Sequence, residues 1–361
     1  MTHPQTFPPY AKFALALFII LSSTALLYFG QGVLAPLLLA LLFAILVEPV
    51  SGFLQARLRF PNTLAAAIAT VLFLMAFIIL FYFISIQLAG MADDWGKIKS
   101  NLNAHYSHLQ QYLEASFGIS REQQKQAISQ ATSESASTGK QLAGATLASV
   151  TDALLNLILI PIYMFLILLY KKHFIKFLRD LSGEKHHAVL RDILATVKIS
   201  VRSYIAGLLI EMVIISVLTA VGLMLIGVKY AILLGIITGL LNLIPYIGIV
   251  VAGLLTVVAS LTGSTDTAVI VGILVVNIVV QFIDNNILVP LVVSSKVEIN
   301  AIASIVGIII GGLLGGITGM FLAIPLLAIL KIIFDRVGTL QPWGYLLGDD
   351  LPKKVVWRKK A

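Results

Sequence analysis

Apolar runs long enough to enter a bilayer recur from one end of this chain to the other, separated by short polar breaks. A membrane-crossing helix needs about 20 apolar residues. Residues 64–88, 150–170 and 204–226 meet that length, with Pro161 tolerated inside the second. Residues 13–47 read as two shorter runs, broken at Gly30-Gln31-Gly32 and Pro36 and ending at Glu48-Pro49, a hairpin that returns to Arg57 and Arg59. The pattern predicts an all-α, polytopic membrane helix bundle of about eight hydrophobic segments. Between the third and fourth of these, residues 91–148 are polar. Trp95, Ile98, Leu102, Tyr106, Leu109 and Leu113 recur there every three or four positions, the period of a helix with one apolar face.

Two segments break the pattern. Residues 230–261 hold two runs, each only about 18–20 Å long as helix against a hydrocarbon core of about 30 Å, separated by Asn242-Leu-Ile-Pro245-Tyr246-Ile-Gly248. Residues 301–334 carry Gly307, Gly311, Gly312, Gly315, Gly316, Gly319 and Pro325. Such spacing marks either close helix packing or a flexible, broken element. Parity ties the two together: both span, giving eight spans, or both are re-entrant hairpins, giving six spans and two hairpins, so that the basic C-terminus stays on the cytoplasmic side.

The run 267–293 carries polarity where lipid-facing helices carry none. Asn277, Gln281, Asp284 and Asn285 fall at helical steps that place them on one face. Polar groups at membrane depth need a protein or water-lined partner and mark solute or ion pathways. Glu211, inside the run 204–226, is a second intramembrane carboxylate.

Composition narrows the class. The chain has 361 residues, 59% of them hydrophobic and 12% charged, with a net charge of +8, outside the range of a soluble domain. Positive charge concentrates in 171–202 and in the tail Lys353-Lys354-Val-Val-Trp357-Arg358-Lys359-Lys360, which predicts both segments to be cytoplasmic and the tail to meet anionic lipid rather than nucleic acid. The first run reads as a retained helix, giving a multi-pass membrane protein with both termini cytoplasmic. There is no cysteine. His186 and His187 read as solvated rather than metal ligands, and no cofactor is expected. No zinc motif, nucleophile elbow or phosphate loop supports catalysis, so the chain reads as a non-enzyme, with a membrane-embedded enzyme or a structural protein as the lesser alternatives. The chain divides into N-terminal transmembrane helices (1–90), an extracytoplasmic insertion (91–148), a transport core (149–340) and a basic tail (341–361).

Three blocks together resemble a known family. Asn242-Leu-Ile-Pro245-Tyr246-Ile-Gly248, then Gln281-Phe-Ile-Asp284-Asn285-Asn286-Ile-Leu-Val-Pro290, then Gly311 to Pro325 are similar in order and spacing to the autoinducer-2 exporter (AI-2E, PerM-like) family, and the layout of the N-terminal half is also similar. Asp284 stands where that family usually has Glu. The resemblance implies an inner-membrane transporter exporting a small solute such as the quorum-sensing signal autoinducer-2, or exchanging sodium or potassium for protons. It also implies a homo-oligomer, by likeness a pentamer. On this reading Asn242, Pro245, Tyr246, Gly248, Gln281, Asn285 and Asn286 meet the substrate, and Asp284 and Glu211 carry ion or proton coupling. Gly311, Gly312, Gly315, Gly316, Gly319, Pro290 and Pro325 permit packing and motion.

Overall fold

The computed structural model describes residues 8–94, 96, 100, 107, 110, 111, 114, 115, 158–244, 247–260, 267–293 and 299–349. Among them every long element is helical and none is a strand. The amphipathic pattern of 95–113, the segment 118–148, Pro245, Tyr246 and the basic tail fall largely or wholly outside these residues. In chain order the helices are α1 (Pro9–Arg57), α2 (Asn62–Asp93), α3 (Ile158–Ser182), α4 (His187–Leu225), α5 (Ala231–Asn242), α6 (Ile247–Ser260), α7 (Thr267–Ile283), α8 (Ala301–Arg336) and α9 (Gln341–Leu347).

The first correction concerns α1. The break expected at Gly30-Gln31-Gly32 and Pro36 is absent, and the 49 residues form one helix, about 73 Å long. Glycine and proline interrupt helices in water because freed backbone groups find solvent there. In hydrocarbon the backbone has no such outlet, so the helix runs on through them.

The chain packs as two compact units, Met1–Ile45 with Leu166–Val201 and Glu298–Ala361, and Leu46–Phe165 with Arg202–Val297. In the first unit α8 is a helical hairpin. The backbone leaves helical geometry at Gly315 and Gly316, where φ is −144° and 56°, and the second value is one that only glycine adopts without strain. The two arms then touch backbone to backbone. A Cβ on Gly319 would overlap the Gly311 carbonyl oxygen, and one on Gly307 would strike the Leu327 side chain. Both ends of α8 meet the C-terminal segment. Asn300 caps the first arm by accepting from Ala303 N–H at 2.8 Å, and its amide donates to the carbonyl oxygens of Leu346 and Gly348 at 2.7 and 3.1 Å. The second arm ends at Arg336, which pairs with Asp192 and donates to Thr196 Oγ1 at 2.9 Å on α4. Both arms therefore open on the face where α4 begins. Six helices have the length and apolarity of a span, but α8 folds back on itself.

In the second unit α5 and α6 form the other hairpin. At the tip, Leu243 and Ile244 N–H donate to the carbonyls of Leu240 and Leu241, and Gly248 N–H returns to Ile244. A Cβ on Gly248 would collide with the Leu241 carbonyl, so the close return requires glycine. Both interrupted segments are thus helical hairpins in their backbone geometry. Along its length α5 lies tight on α4: Gly235 faces Ser216 and Ala220, and Gly239 faces Met212 and Ser216. A core of Leu223, Val228, Ala231, Leu234 and Ile273 closes the open end of the hairpin, and Ile215, Val280 and Leu288 join α4 to α7.

Candidate functional site

The α5/α6 tip brings its polar residues to the middle of α4 and the C-terminal end of α7. Asn242 ends α5, about 18 Å of helix from the foot at Tyr230. Glu211 lies 14 residues before the end of α4 at Leu225, about 21 Å along the same direction. The distances match, and the three elements converge. The Asn242 amide donates to Glu211 Oε1 at 2.9 Å and reaches Asp284 Oδ2 at a longer 3.4 Å. The two carboxylates are 5% and 3% exposed, so one amide serves two acids that water barely touches. Neither acid forms an ion pair with a basic side chain among the described residues.

At Asp284 the α-helical turn widens into a π-helical stretch, Asp284–Val293, which contains Pro290. Wider turns of this kind occur often at functional sites because they re-aim side chains. Here Asp284 turns inward, while Asn285 and Asn286 are exposed and the Asn286 amide donates to the Phe282 carbonyl at 2.8 Å on its own helix. The shared face expected for Asp284 and Asn285 therefore ends at Asp284, because neighbouring residues on a helix stand about 100° apart.

Beside the carboxylates lies a cavity of about 20 Å³, lined by Ile215, Thr238, Asn242, Ala252, Asn277, Val280 and Gln281. That volume takes about one water-sized species. Its polar lining is unsatisfied: among the described residues Thr238 Oγ1, Asn277 Nδ2 and Gln281 Nε2 have no hydrogen-bond partner, nor do Glu211 Oε2 and Asp284 Oδ1. Buried polar atoms without partners cost roughly 1–3 kcal/mol each, and three of them on this lining make the cavity the candidate site.

Of the residues the sequence singled out, Asn242, Gln281, Asp284 and Glu211 come together here. Gly248 is buried behind the tip, and Gly311, Gly312, Gly315, Gly316, Gly319 and Pro325 belong to the α8 hairpin of the other unit. Thr238 escaped sequence reading because a lone threonine in an apolar run is unremarkable, yet it precedes Asn242 by four residues and so shares its face. No group of three or more His, Cys, Asp or Glu suited to a metal occurs among the described residues.

Comparison with known proteins agrees with this architecture. The family model described as AI-2E family transporter matches residues 17–338. The chain is 27% identical to the Escherichia coli (strain K12) protein "Putative permease PerM" over 332 residues, 89% of this chain and 92% of that one. It is 26% identical over 344 residues to a Haemophilus influenzae protein named "Putative transport protein", covering 92% and 94% of the two chains. A stretch of 146 residues is 30% identical to the Bacillus subtilis "Putative transport protein YrrI", spanning about 40% of each chain. With a match across nearly its whole length, the chain belongs to the AI-2E family of transporters.

Proposed function

We propose that this transporter exchanges a small monovalent cation for protons at the Glu211–Asn242–Asp284 site. The observation that carries this reading is a pair of buried carboxylates held by one amide, beside a cavity of about 20 Å³. Two ionised carboxylates so placed repel strongly away from water, and either a proton or a cation removes the repulsion. That is the elementary step of antiport. A cation entering from one side is compensated by the two acids and displaces the proton held there, and reprotonation from the other side releases the cation. The free Glu211 Oε2 and Asp284 Oδ1 are the oxygens available for it, with the Thr238 hydroxyl supplying a neutral oxygen in place of hydration water. The hairpin supplies the moving part, since its tip carries Asn242 and closes the cavity.

A second reading keeps the family's namesake. Export of autoinducer-2, a small polyol, is favoured by the row of neutral hydrogen-bonding groups at Thr238, Asn242, Asn277 and Gln281. It requires the α5/α6 tip to withdraw, because the present cavity holds one water-sized species. Everted membrane vesicles carrying a preset pH gradient separate the two. Collapse of the gradient on adding sodium or potassium is the expected result. Accumulation of autoinducer-2 with no response to either cation overturns the antiport reading in favour of export.

Charge supports an inner-membrane orientation with 171–202 and the end of α8 in the cytoplasm. An unbroken α1 that crosses once then places the N-terminus on the opposite face, unlike the hairpin reading of 13–47. Single cysteines introduced into this cysteine-free chain read the sidedness directly, and a Lys185→Cys protein labelled only from outside would reverse it. The apolar residues exposed along α1 and α2, Phe18, Phe29, Ile79 and Tyr82 among them, are covered by lipid and, in the homo-oligomer implied by the family resemblance, by neighbouring copies.

A further inference from the structure

The end of α2 holds the foot of α5. The Asp94 carboxylate is 7% exposed and pairs with the Lys229 ammonium. The Tyr230 hydroxyl lies 2.7 Å from Asp94 Oδ2 and 2.8 Å from the Gly90 carbonyl oxygen, with its single proton available to either acceptor. Hydrogen bonding to Asp94 holds the Lys229 ammonium above its ordinary value, and the separate bond from the Tyr230 hydroxyl to Asp94 raises Tyr230. A raised lysine keeps its charge through neutral pH and loses the pairing only as pH climbs past its ordinary range. The foot is therefore locked at working pH.

Beyond this foot, α5 meets α4 through Gly235 and Gly239. Glycine faces let the two helices approach closely, with Ser216 and Ala220 of α4 seated against them. From Tyr230 to Asn242 the chain is one stiff rod of about 18 Å. A displacement at the foot is carried along this rod toward the tip.

We propose that Asp94 is a positioning residue that fixes the axial depth of α5, and with it the place of Asn242 between Glu211 and Asp284, by holding Lys229 and Tyr230. Its consequence for transport rests on the carboxylate pair being the coupling site. Its consequence for the hairpin does not.

The test uses the full-length protein in vesicles with Leu243→Cys as the single cysteine at the tip, and follows its modification by a water-soluble maleimide. Asp94→Ala raises that rate about tenfold, the scale of one charge-assisted hydrogen bond, and raises the cation KM while leaving Vmax less affected. Exchanging the partners, Asp94→Lys with Lys229→Asp, rebuilds the ion pair and returns the rate toward that of the parent. Where Asp94→Ala fails to fold, Lys229→Gln with Tyr230→Phe removes its links to the foot of α5 and gives the same increase. An unchanged labelling rate in the folded variant overturns the proposal, whatever the cation response. A raised rate in a protein that never responds to cations upholds the positioning role and removes the antiport reading alone.

Discussion

Asp284→Asn is expected to abolish the cation-triggered collapse of the pH gradient, and Glu211→Gln to do the same. Each substitution keeps the shape of the side chain and removes one of the two charges that compensate an entering cation. With one acid left, the site loses a charge that alternates between proton and cation, and turnover is expected to fall by at least about 100-fold, about 2.8 kcal/mol on the scale of 1.4 kcal/mol per decade. Asn242→Ala is milder. It leaves both charges and removes the donor they share, a loss of about 1.5–3 kcal/mol for a hydrogen bond to a charged group, which appears mainly in KM. Asp284→Glu restores the acid with one extra methylene and retains activity within about tenfold, since the π-helical stretch that begins at this residue can absorb a small change of reach. Full activity in Asp284→Asn, measured by the same gradient collapse, would remove the carboxylate from the mechanism.

The second large effect lies in the other hairpin. Gly319→Ala destabilises the protein by about 1–3 kcal/mol, the usual cost of forcing an extra carbon into a filled space, because its Cβ would sit on the Gly311 carbonyl oxygen. The neighbour is backbone on the facing arm, which cannot step aside without opening the hairpin. Gly316→Ala costs about 1–2 kcal/mol for a different reason, the left-handed backbone at the tip. Gly32→Ala is the control. It lies inside α1 with open space around its Cα, and substitution there leaves thermal unfolding in detergent unchanged or slightly raises the midpoint. Equal midpoints for Gly319→Ala and Gly32→Ala would show that the arms of α8 do not touch as described.

The sequence made the helical class and the polar stripe of α7 legible because both are periodic features that one segment carries alone. The steps from Asn277 to Gln281 to Asp284 sufficed to put an acid at membrane depth. The pairing of that acid with Glu211 was not legible, since it depends on Asn242, 31 residues from one and 42 from the other, and on the α5/α6 tip stopping level with both. Asn285 was misplaced for a local reason: it follows Asp284 directly and so stands about 100° round the helix from it, and the winding also changes at Asp284. The break expected in α1 came from applying the habits of glycine and proline in water to a segment whose surroundings are lipid. The glycines at 311 and 319 allowed either packing or flexibility. The fold uses them for packing within one hairpin, with Gly316 making the turn.

The central claim, that Glu211 and Asp284 hold a proton which a cation displaces, is tested most directly by proton release from the purified protein in weakly buffered detergent solution. Adding sodium or potassium to the wild type is expected to release close to one proton per cation bound, with no release from Asp284→Asn. Cation binding without proton release, or equal release from the variant, would contradict the account.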